Sequence, residues 1–422
     1  MSGMSSFNTF KTITKQKMHS MRQQWQNSDD IFIKMYAFTR AKTAKALGYY
    51  PYYPNIDDFG ATDVTISGKK IIMLGSNNYL GLTNHPEVIE AGVAALRKFG
   101  SGVTGSRLLN GNLILHNELE EKIASFVGKE KALVFSTGYG VNLGVIASSV
   151  GSGDLLFSDD LNHASIVDGA RFSRCEVVKY AHNDMIDLDY QLEKYPLRHG
   201  KLVVSDAVFS MEGDVVNLPD LVKTAHKHNS RIMIDEAHSL GVFGPKGEGI
   251  CRQFDLSDEV DLIMGTFSKS LGGVGGFIAS EEPVIDYFKH HTRTMIFTAA
   301  LPPANVATVT KALEILQREP DRGKRALANG AYMRENLTNA GFDTGDSKTP
   351  VVPIIIGSDM KTFRVWKELM NKGVYTNPIV SPAVPEGRAL LRTSYMATHT
   401  QEQLDYCLAA LVETGRKYHV IR

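Results

Sequence analysis

Lys269 stands in Gly265-Thr-Phe-Ser-Lys-Ser-Leu-Gly-Gly-Val-Gly-Gly276, flanked by hydroxyls and small residues after a short apolar run, 262–264. A longer apolar run, 231–235, ends in Asp235 and continues Asp235-Glu-Ala-His-Ser-Leu-Gly241. Runs of this kind read as buried strands, so Asp235 emerges at a strand's C-terminal end and the lysine loop follows the next strand. A buried acid, a nearby histidine and a lysine among hydroxyls form a set suited to pyridoxal phosphate. The lysine amine joins the aldehyde as a Schiff base, Asp235 keeps the pyridinium nitrogen protonated, and Thr266 and Ser268 contact the phosphate.

Further residues extend this set. Ser136-Thr-Gly-Tyr-Gly140 lies between a strand and a helix, where backbone N–H groups at a helix N-terminus attract an anion and Gly138 permits close approach. Tyr139 adds a ring or a hydroxyl; an ordinary strand–helix turn is the bland alternative. His163, in Asp159-Asp-Leu-Asn-His-Ala-Ser165, is either a loop-capping residue or a ring that stacks on the cofactor and carries a proton. His238, three residues past Asp235, can hold the cofactor's phenolate oxygen or Asp235 itself. Ser210, in Asp206-Ala-Val-Phe-Ser-Met-Glu-Gly-Asp214, is a turn residue or a cofactor contact. Thr298, before Ala-Ala-Leu-Pro-Pro303, is placed to reach a phosphate across a dimer interface. Arg392, in Leu390-Leu-Arg-Thr-Ser394, sits in an apolar strand and needs a partner: a bidentate substrate carboxylate, or a structural salt bridge.

Three rival chemistries fall away. Ile234-Asp-Glu-Ala-His238 resembles the end of a Walker B strand, but the phosphate loop G-x-x-x-x-G-K-[ST] which that reading demands does not occur. Gly272-Gly-Val-Gly-Gly276 follows a lysine loop rather than opening a strand-to-helix turn, so it does not mark a dinucleotide site. His163 and His238 have no cysteine or further histidine at ligand spacing, so no metal is expected.

These residues need a scaffold, and the pattern supplies one. A hairpin is expected at 66–74, with Ser67-Gly68 at its turn. Strands at 131–136, 155–158, 176–180, 201–205, 231–235, 262–265 and 276–279 then alternate with helices at 116–127, 140–150, 166–171 and 218–228. This is an α/β pattern: a mainly parallel, seven-stranded sheet with helices on both faces, binding its ligand beyond the strand C-termini. A helix at 304–319, strands at 351–356, 374–377 and 389–394 and a terminal helix at 401–417 indicate a smaller α+β domain. The expected division is an N-terminal arm with a helix (1–58), a large domain (59–300) and a small C-terminal domain (301–422). Within the arm, 30–47 reads as helix, while Tyr49-Tyr-Pro-Tyr-Tyr-Pro54 must be extended. There is no internal repeat or low-complexity segment.

Composition narrows the class. The 422 residues are 43% hydrophobic, enough for a large core, and 46 basic residues balance 46 acidic ones. That balance gives no support to a nucleic-acid partner, though it permits a local basic patch for coenzyme A. Cys175, Cys251 and Cys407 are far apart, which fits a reducing cytoplasm better than a disulfide framework. No apolar run reaches the roughly 20 residues of a membrane span. The polar, basic segment 1–27 lacks the apolar stretch of a secretory signal, so a cytoplasmic protein with at most peripheral membrane contact is expected.

Asn77-Asn-Tyr-Leu-Gly81, Gly105-Ser-Arg-Leu-Leu-Asn-Gly111, Ser136-Thr-Gly-Tyr139, His163-Ala-Ser165, Asp235-Glu-Ala-His238, Gly265-Thr-Phe-Ser-Lys269 and Leu391-Arg392 occur in order. Together they resemble the α-oxoamine synthases, across about 60–415. The resemblance implies the aspartate-aminotransferase fold (fold type I), pyridoxal 5'-phosphate and homodimers with active sites shared between subunits. It implies decarboxylative condensation of an amino acid with an acyl-CoA thioester. It further implies cofactor contacts from Gly138, Tyr139, His163, Ser210, Asp235, His238, Thr266, Ser268, Lys269 and Thr298. Asn78 and Arg392 are implied to bind substrate, and a non-catalytic subunit of this family would lack Lys269. Thr266-Phe-Ser-Lys-Ser270, Phe209-Ser-Met-Glu-Gly-Asp214, Ile296-Phe-Thr-Ala-Ala-Leu-Pro-Pro303 and Ser381-Pro-Ala-Val-Pro385 look most like the branch that joins L-serine to palmitoyl-CoA. Some members of that branch carry a carboxylate-binding arginine where this chain has Val380. Glycine with acetyl-CoA, and alanine with a pimeloyl thioester, are the alternatives within the family.

Overall fold

Strand residues alternate between two cores because successive side chains point to opposite faces of a sheet. In the computed structural model, which describes residues 29–195 and 200–422, that alternation builds a central seven-stranded sheet. In chain order, β1 (Asp58–Phe59), β2 (Asp63–Ile66) and β3 (Lys69–Met73) come first. The central sheet takes β4 (Lys131–Phe135), β5 (Leu155–Asp159), β6 (Glu176–Tyr180), β7 (Lys201–Asp206), β8 (Arg231–Asp235), β9 (Leu262–Thr266) and β10 (Gly276–Ser280). Last are β11 (Val351–Gly357), β12 (Val374–Tyr375), β13 (Asn377–Ile379) and β14 (Ala389–Ser394).

The central order is β4-β10-β9-β8-β7-β5-β6, parallel except for β10, which is antiparallel to both β4 and β9. Val203, Ile232, Ile234 and Ile263 enter one core with Leu119, Leu188, Leu221 and Val309 from the helices Ile114–Val127, Met185–Glu193, Leu218–Lys227 and Pro303–Arg318. Leu202, Val204, Met233 and Met264 enter the other with Val145, Ile166 and Phe288 from the opposite helical layer. Each such side chain, fully buried, contributes about 1.5–3 kcal/mol of transfer free energy. The helix Pro303–Arg318 therefore completes the core of the central sheet.

The parallel direction puts the C-terminal ends of β5, β7, β8 and β9 along one edge. Asp206 of β7 is paired in register with Asp235 of β8. At the same edge Gly276 lies opposite both Phe135 and Thr266, so the turn after β4 meets the lysine loop. The glycine run 272–276 makes this possible: Gly272 and Gly275 have φ of 64° and 115°, and a Cβ on Gly276 would lie 2.9 Å from the Gly138 Cα.

A third core, including Leu337, Val352, Leu369, Leu391 and Leu411, lies between the sheet β11-β14-β13 and the helices Asp321–Asn339, Asp359–Asn371 and Gln401–Lys417. The remaining sheet, β1-β2-β3-β12, contains the expected hairpin with its turn at Ser67-Gly68. The described residues before Pro54 form a separate unit. There the sequence indicates one helix over 30–47, but the structure has two, Ile33–Tyr36 and Arg40–Ala46. Neither has a side-chain N-cap, and the break falls at Phe38-Thr39, both weak helix formers. The basic segment 1–27 lies outside the described residues.

Candidate active site

Nine of the expected residues converge on one cavity of about 240 Å³ at this sheet edge: Gly138, Tyr139, His163, Ser210, Asp235, His238, Thr266, Ser268 and Lys269. Its first wall is the start of the helix Gly138–Ser149. Thr137 caps that helix, its hydroxyl accepting from the Gly140 N–H at 2.9 Å. The Gly138 and Tyr139 N–H groups have no intrahelical acceptor and point out of the helix end. A Cβ on Gly138 would sit 2.6 Å from Thr266 Oγ1, so glycine lets the helix end close against the lysine loop. Thr266 Oγ1 itself is 3.0 Å from Ser268 Oγ. N–H groups and hydroxyls thus gather where a phosphate is to be held.

Asp235 is buried, and both of its carboxylate oxygens are fixed. Oδ2 accepts from Asn142 Nδ2 at 2.7 Å, and Oδ1 accepts from the Ala237 N–H at 2.9 Å. Lys269 shares the cavity; burial drives its amine down to about 8 against the opposing pull of Asp235 and Asp206, and Arg392 adds to the depression. His163 is the N-cap of the helix Ala164–Ser173. Its Nδ1 lies 2.7 Å from Ser165 Oγ, its backbone N–H donates to Asp206 at 2.8 Å, and its ring meets Tyr139 edge-on. Burial lowers its basicity, partly offset by Asp235. His238 does not bond Asp235. Its Nδ1 lies 2.6 Å from the Tyr79 hydroxyl, and burial, then the charges of Lys269 and Arg392, push it well below the usual imidazole range.

Arg392, on β14, is 4% exposed, and each of its contacts is neutral. Nε donates to the Ser210 carbonyl at 2.5 Å, Nη1 to Ser394 Oγ at 3.1 Å, and Nη2 to Asn77 Oδ1 at 2.9 Å. Among the described residues it has no acidic partner, so the structural salt bridge is not what holds it. A buried guanidinium without a counter-ion favours an incoming carboxylate.

Three expected residues are arranged differently. Asn78 turns its amide onto its own loop, donating to Thr83 at 2.8 Å and accepting from the Leu82 N–H at 3.0 Å; its neighbour Asn77 reaches Arg392. Thr298 does not line the cavity; it borders a separate cleft with Leu143, Ala147 and Tyr287. The Tyr139 hydroxyl is held by Asp168, leaving its ring and N–H at the cavity. The Walker-like Glu236 is turned into the core, accepting from the Ile250 and Cys251 N–H groups at 2.8 and 2.7 Å and from the Ser239 hydroxyl.

Sequence reasoning missed Asn77, Tyr79, Asn142 and Asp206. Tyr79 and Asn77 lie inside a motif already singled out. Asp206 carried a signal too, since it ends β7 as Asp235 ends β8. Burial and the neighbouring Asp235 push the Asp206 carboxyl well above the usual range.

An amine, an acid placed for a ring nitrogen and a glycine-cut phosphate cradle on one edge of a parallel sheet fit pyridoxal phosphate and define a fold type I enzyme. The chain belongs to the aminotransferase class I and II family, whose model matches residues 69–411, and pyridoxal phosphate is its cofactor. Within that family it is an α-oxoamine synthase. A serine palmitoyltransferase from Sphingobacterium spiritivorum is 47% identical over 383 residues, covering 91% of this chain and 96% of that protein. An 8-amino-7-oxononanoate synthase from Thermoanaerobacter pseudethanolicus is 42% identical over 357 residues, 84% of this chain and 90% of its own. Among solved structures, a serine palmitoyltransferase from S. paucimobilis with a bound PLP–myriocin aldimine matches with a TM-score of 0.90 at 37% identity. It covers 93% of this chain and 100% of that one.

Proposed function

We propose that this chain condenses L-serine with palmitoyl-CoA, releasing CoA and CO2 and giving 3-ketodihydrosphingosine, the first step of sphingolipid synthesis. The observation that carries an amino-acid substrate is Arg392: a buried cation whose charge is felt by Lys269 and whose partners among the described residues are all neutral. The names of its relatives support serine and a long acyl chain over the alternatives. Bound pyridoxal phosphate supplies an aldehyde for the amine and an electron sink for charge at the substrate Cα. Asp235, immobilised by Asn142 and Ala237, holds the ring nitrogen's proton. Gly138, Tyr139, Thr266 and Ser268 hold the phosphate. Lys269, with its basicity lowered to about 8, would hold the cofactor's aldehyde carbon and, as a free amine, take the proton from the substrate Cα. Arg392 binds the carboxylate that is later lost as CO2. His163 offers its ring to the cofactor and a proton to the thioester carbonyl. His238, fixed through Tyr79 at the cavity wall, would hold the phenolate oxygen.

Two copies of the chain complete the enzyme in this reading. The position of Thr298 away from its own cavity, beside a 72% exposed Phe297, supports its service to a partner's phosphate. Three free cysteines support a cytoplasmic setting, and among the described residues no helix is long and apolar enough to cross a membrane. Val380, where some serine palmitoyltransferases carry arginine, keeps alanine with a pimeloyl thioester as the second reading, in line with the 8-amino-7-oxononanoate synthase relative. Turnover of serine, glycine and alanine against palmitoyl-CoA, acetyl-CoA and pimeloyl-CoA tests the choice. Serine with palmitoyl-CoA is expected to be fastest; a preference for alanine with the pimeloyl thioester would overturn the assignment.

A further inference from the structure

The Ser210 carbonyl that receives Arg392 Nε belongs to a small hairpin outside the central sheet. Val208 bridges Val215, the Phe209 N–H donates to the Asp214 carbonyl, and the Gly213 N–H donates to the Phe209 carbonyl. On one side the Lys348 N–H donates to the Gly213 carbonyl, tying the hairpin to the segment before β11. On the other stands His182, just beyond β6. Its Nδ1 lies 2.9 Å from Asp159 Oδ1 at the end of β5, and its Nε2 lies 3.0 Å from Asp214 Oδ2 in the hairpin. Its ring meets Phe209 edge-on at 4.3 Å. Carboxylates only accept, so both ring nitrogens must donate and the imidazole carries a proton. Burial opposes that charge, but hydrogen bonds to Asp159 and Asp214 outweigh it and lift the group to about 10.

We infer that His182 is a positioning residue for the substrate-carboxylate site: clamped between Asp159 and Asp214, it fixes the 208–215 hairpin so that the Ser210 carbonyl sets the angle of Arg392. Asp159 is already anchored, accepting from the Leu161 and Asn183 N–H groups at 2.9 and 2.8 Å, so it serves as the fixed end. Asp214 is the hairpin end of the clamp: its Oδ2 is held by His182, and among the described residues its buried Oδ1 has no hydrogen-bond partner. Releasing the clamp leaves the hairpin held by backbone contacts to Lys348 and Asn183, and lets the Ser210 carbonyl and the guanidinium it orients shift relative to Asn77.

The inference rests on Arg392 as the amino-acid carboxylate site, and the test separates the two ideas. The pyridoxal-phosphate-loaded wild type is titrated with serine, glycine and alanine by absorbance, and with ethanolamine, which has serine's amine and hydroxyl but no carboxylate. His182→Gln and Asp214→Asn are titrated in the same way, with circular dichroism and cofactor absorbance checked first. Either variant is expected to weaken binding of the preferred amino acid about tenfold, as for loss of one charged hydrogen bond, with kcat changed less than twofold and ethanolamine binding unchanged. Where His182→Gln fails to fold, Asp214→Asn alone decides. A wild type that binds none of the three amino acids overturns the substrate reading and the inference with it. A wild type that binds one, with a folded variant that binds it equally well or that loses ethanolamine binding in parallel, overturns only the positioning role.

Discussion

Gly138→Ala isolates the phosphate cradle from the rest of the site. Its new methyl would lie 2.6 Å from Thr266 Oγ1 and 2.9 Å from Thr266 Cβ. Thr266 cannot retreat, because it is buried and its hydroxyl is 3.0 Å from the Gly275 carbonyl. To reach an ordinary contact the first turn of the helix Gly138–Ser149 must back away by about 0.8 Å. A phosphate hydrogen bond of about 2.9 Å would stretch to roughly 3.7 Å, past the useful range. Each such charged hydrogen bond is worth about 1.5–3 kcal/mol. Loss of the two from Gly138 and Tyr139, with partial relaxation, corresponds to at least a hundredfold weaker cofactor binding. The apo-protein should remain folded, since alanine raises helix propensity by up to about 1 kcal/mol and offsets part of the steric cost. The assay is equilibrium titration of apo-protein with pyridoxal phosphate and with pyridoxal, which lacks the phosphate. The variant should lose affinity for the phosphorylated form and keep its affinity for pyridoxal. Unchanged pyridoxal phosphate affinity, or an equal loss for both, would refute the cradle.

Lys269→Ala should abolish turnover and the visible absorbance of the bound cofactor; a variant that keeps both contradicts the assignment of the amine. Cofactor capture by apo-protein needs the neutral amine, whose pKa is depressed to about 8, so stopped-flow capture rates should climb as pH rises through 8 and then level off. A midpoint near 10.5 would show that the amine is not buried as described. Arg392→Lys replaces a guanidinium engaging Ser210, Ser394 and Asn77 with a single ammonium, and should raise the serine KM about a hundredfold with a smaller effect on kcat. Steady-state kinetics check this, and an unchanged KM moves the carboxylate elsewhere. Glu236→Gln removes one acceptor from the buried Ile250 and Cys251 N–H pair, so urea melts should show a loss of about 2 kcal/mol with kcat unchanged. A stable but inactive Glu236→Gln protein would instead give Glu236 a place in the chemistry.

Most of the central sheet was legible because short continuous apolar runs bounded by Gly, Ser and Asp encode strands buried on both faces. One helix that the pattern passed over owes its stability to tertiary packing. Asp321–Asn339 carries Gly323 and Gly330, poor residues for a helix interior. Yet a Cβ on Gly330 would lie 2.8 Å from Pro350 Cα, so the glycine serves close packing that no local signal records. The split of 30–47 into two helices shows the reverse, a local break that the apolar spacing concealed.

The sequence alone determined the chemistry around Lys269. Asp235, His163, His238, Gly138, Thr266 and Ser268 are each delivered by a strand end or helix start a few residues away, and a parallel sheet gathers such ends at one edge. Tertiary structure decided who holds whom. Arg392 meets Asn77 across 315 positions of sequence, and His238 meets Tyr79 across 159. Asp206 joined the site only through strand register, while Asn78 and Thr298 left it through the direction of a side chain and the position of a loop. Spacing along a chain records local geometry. Hydrogen-bond partners, desolvation and the resulting charge states depend on distances that exist only after the layers pack.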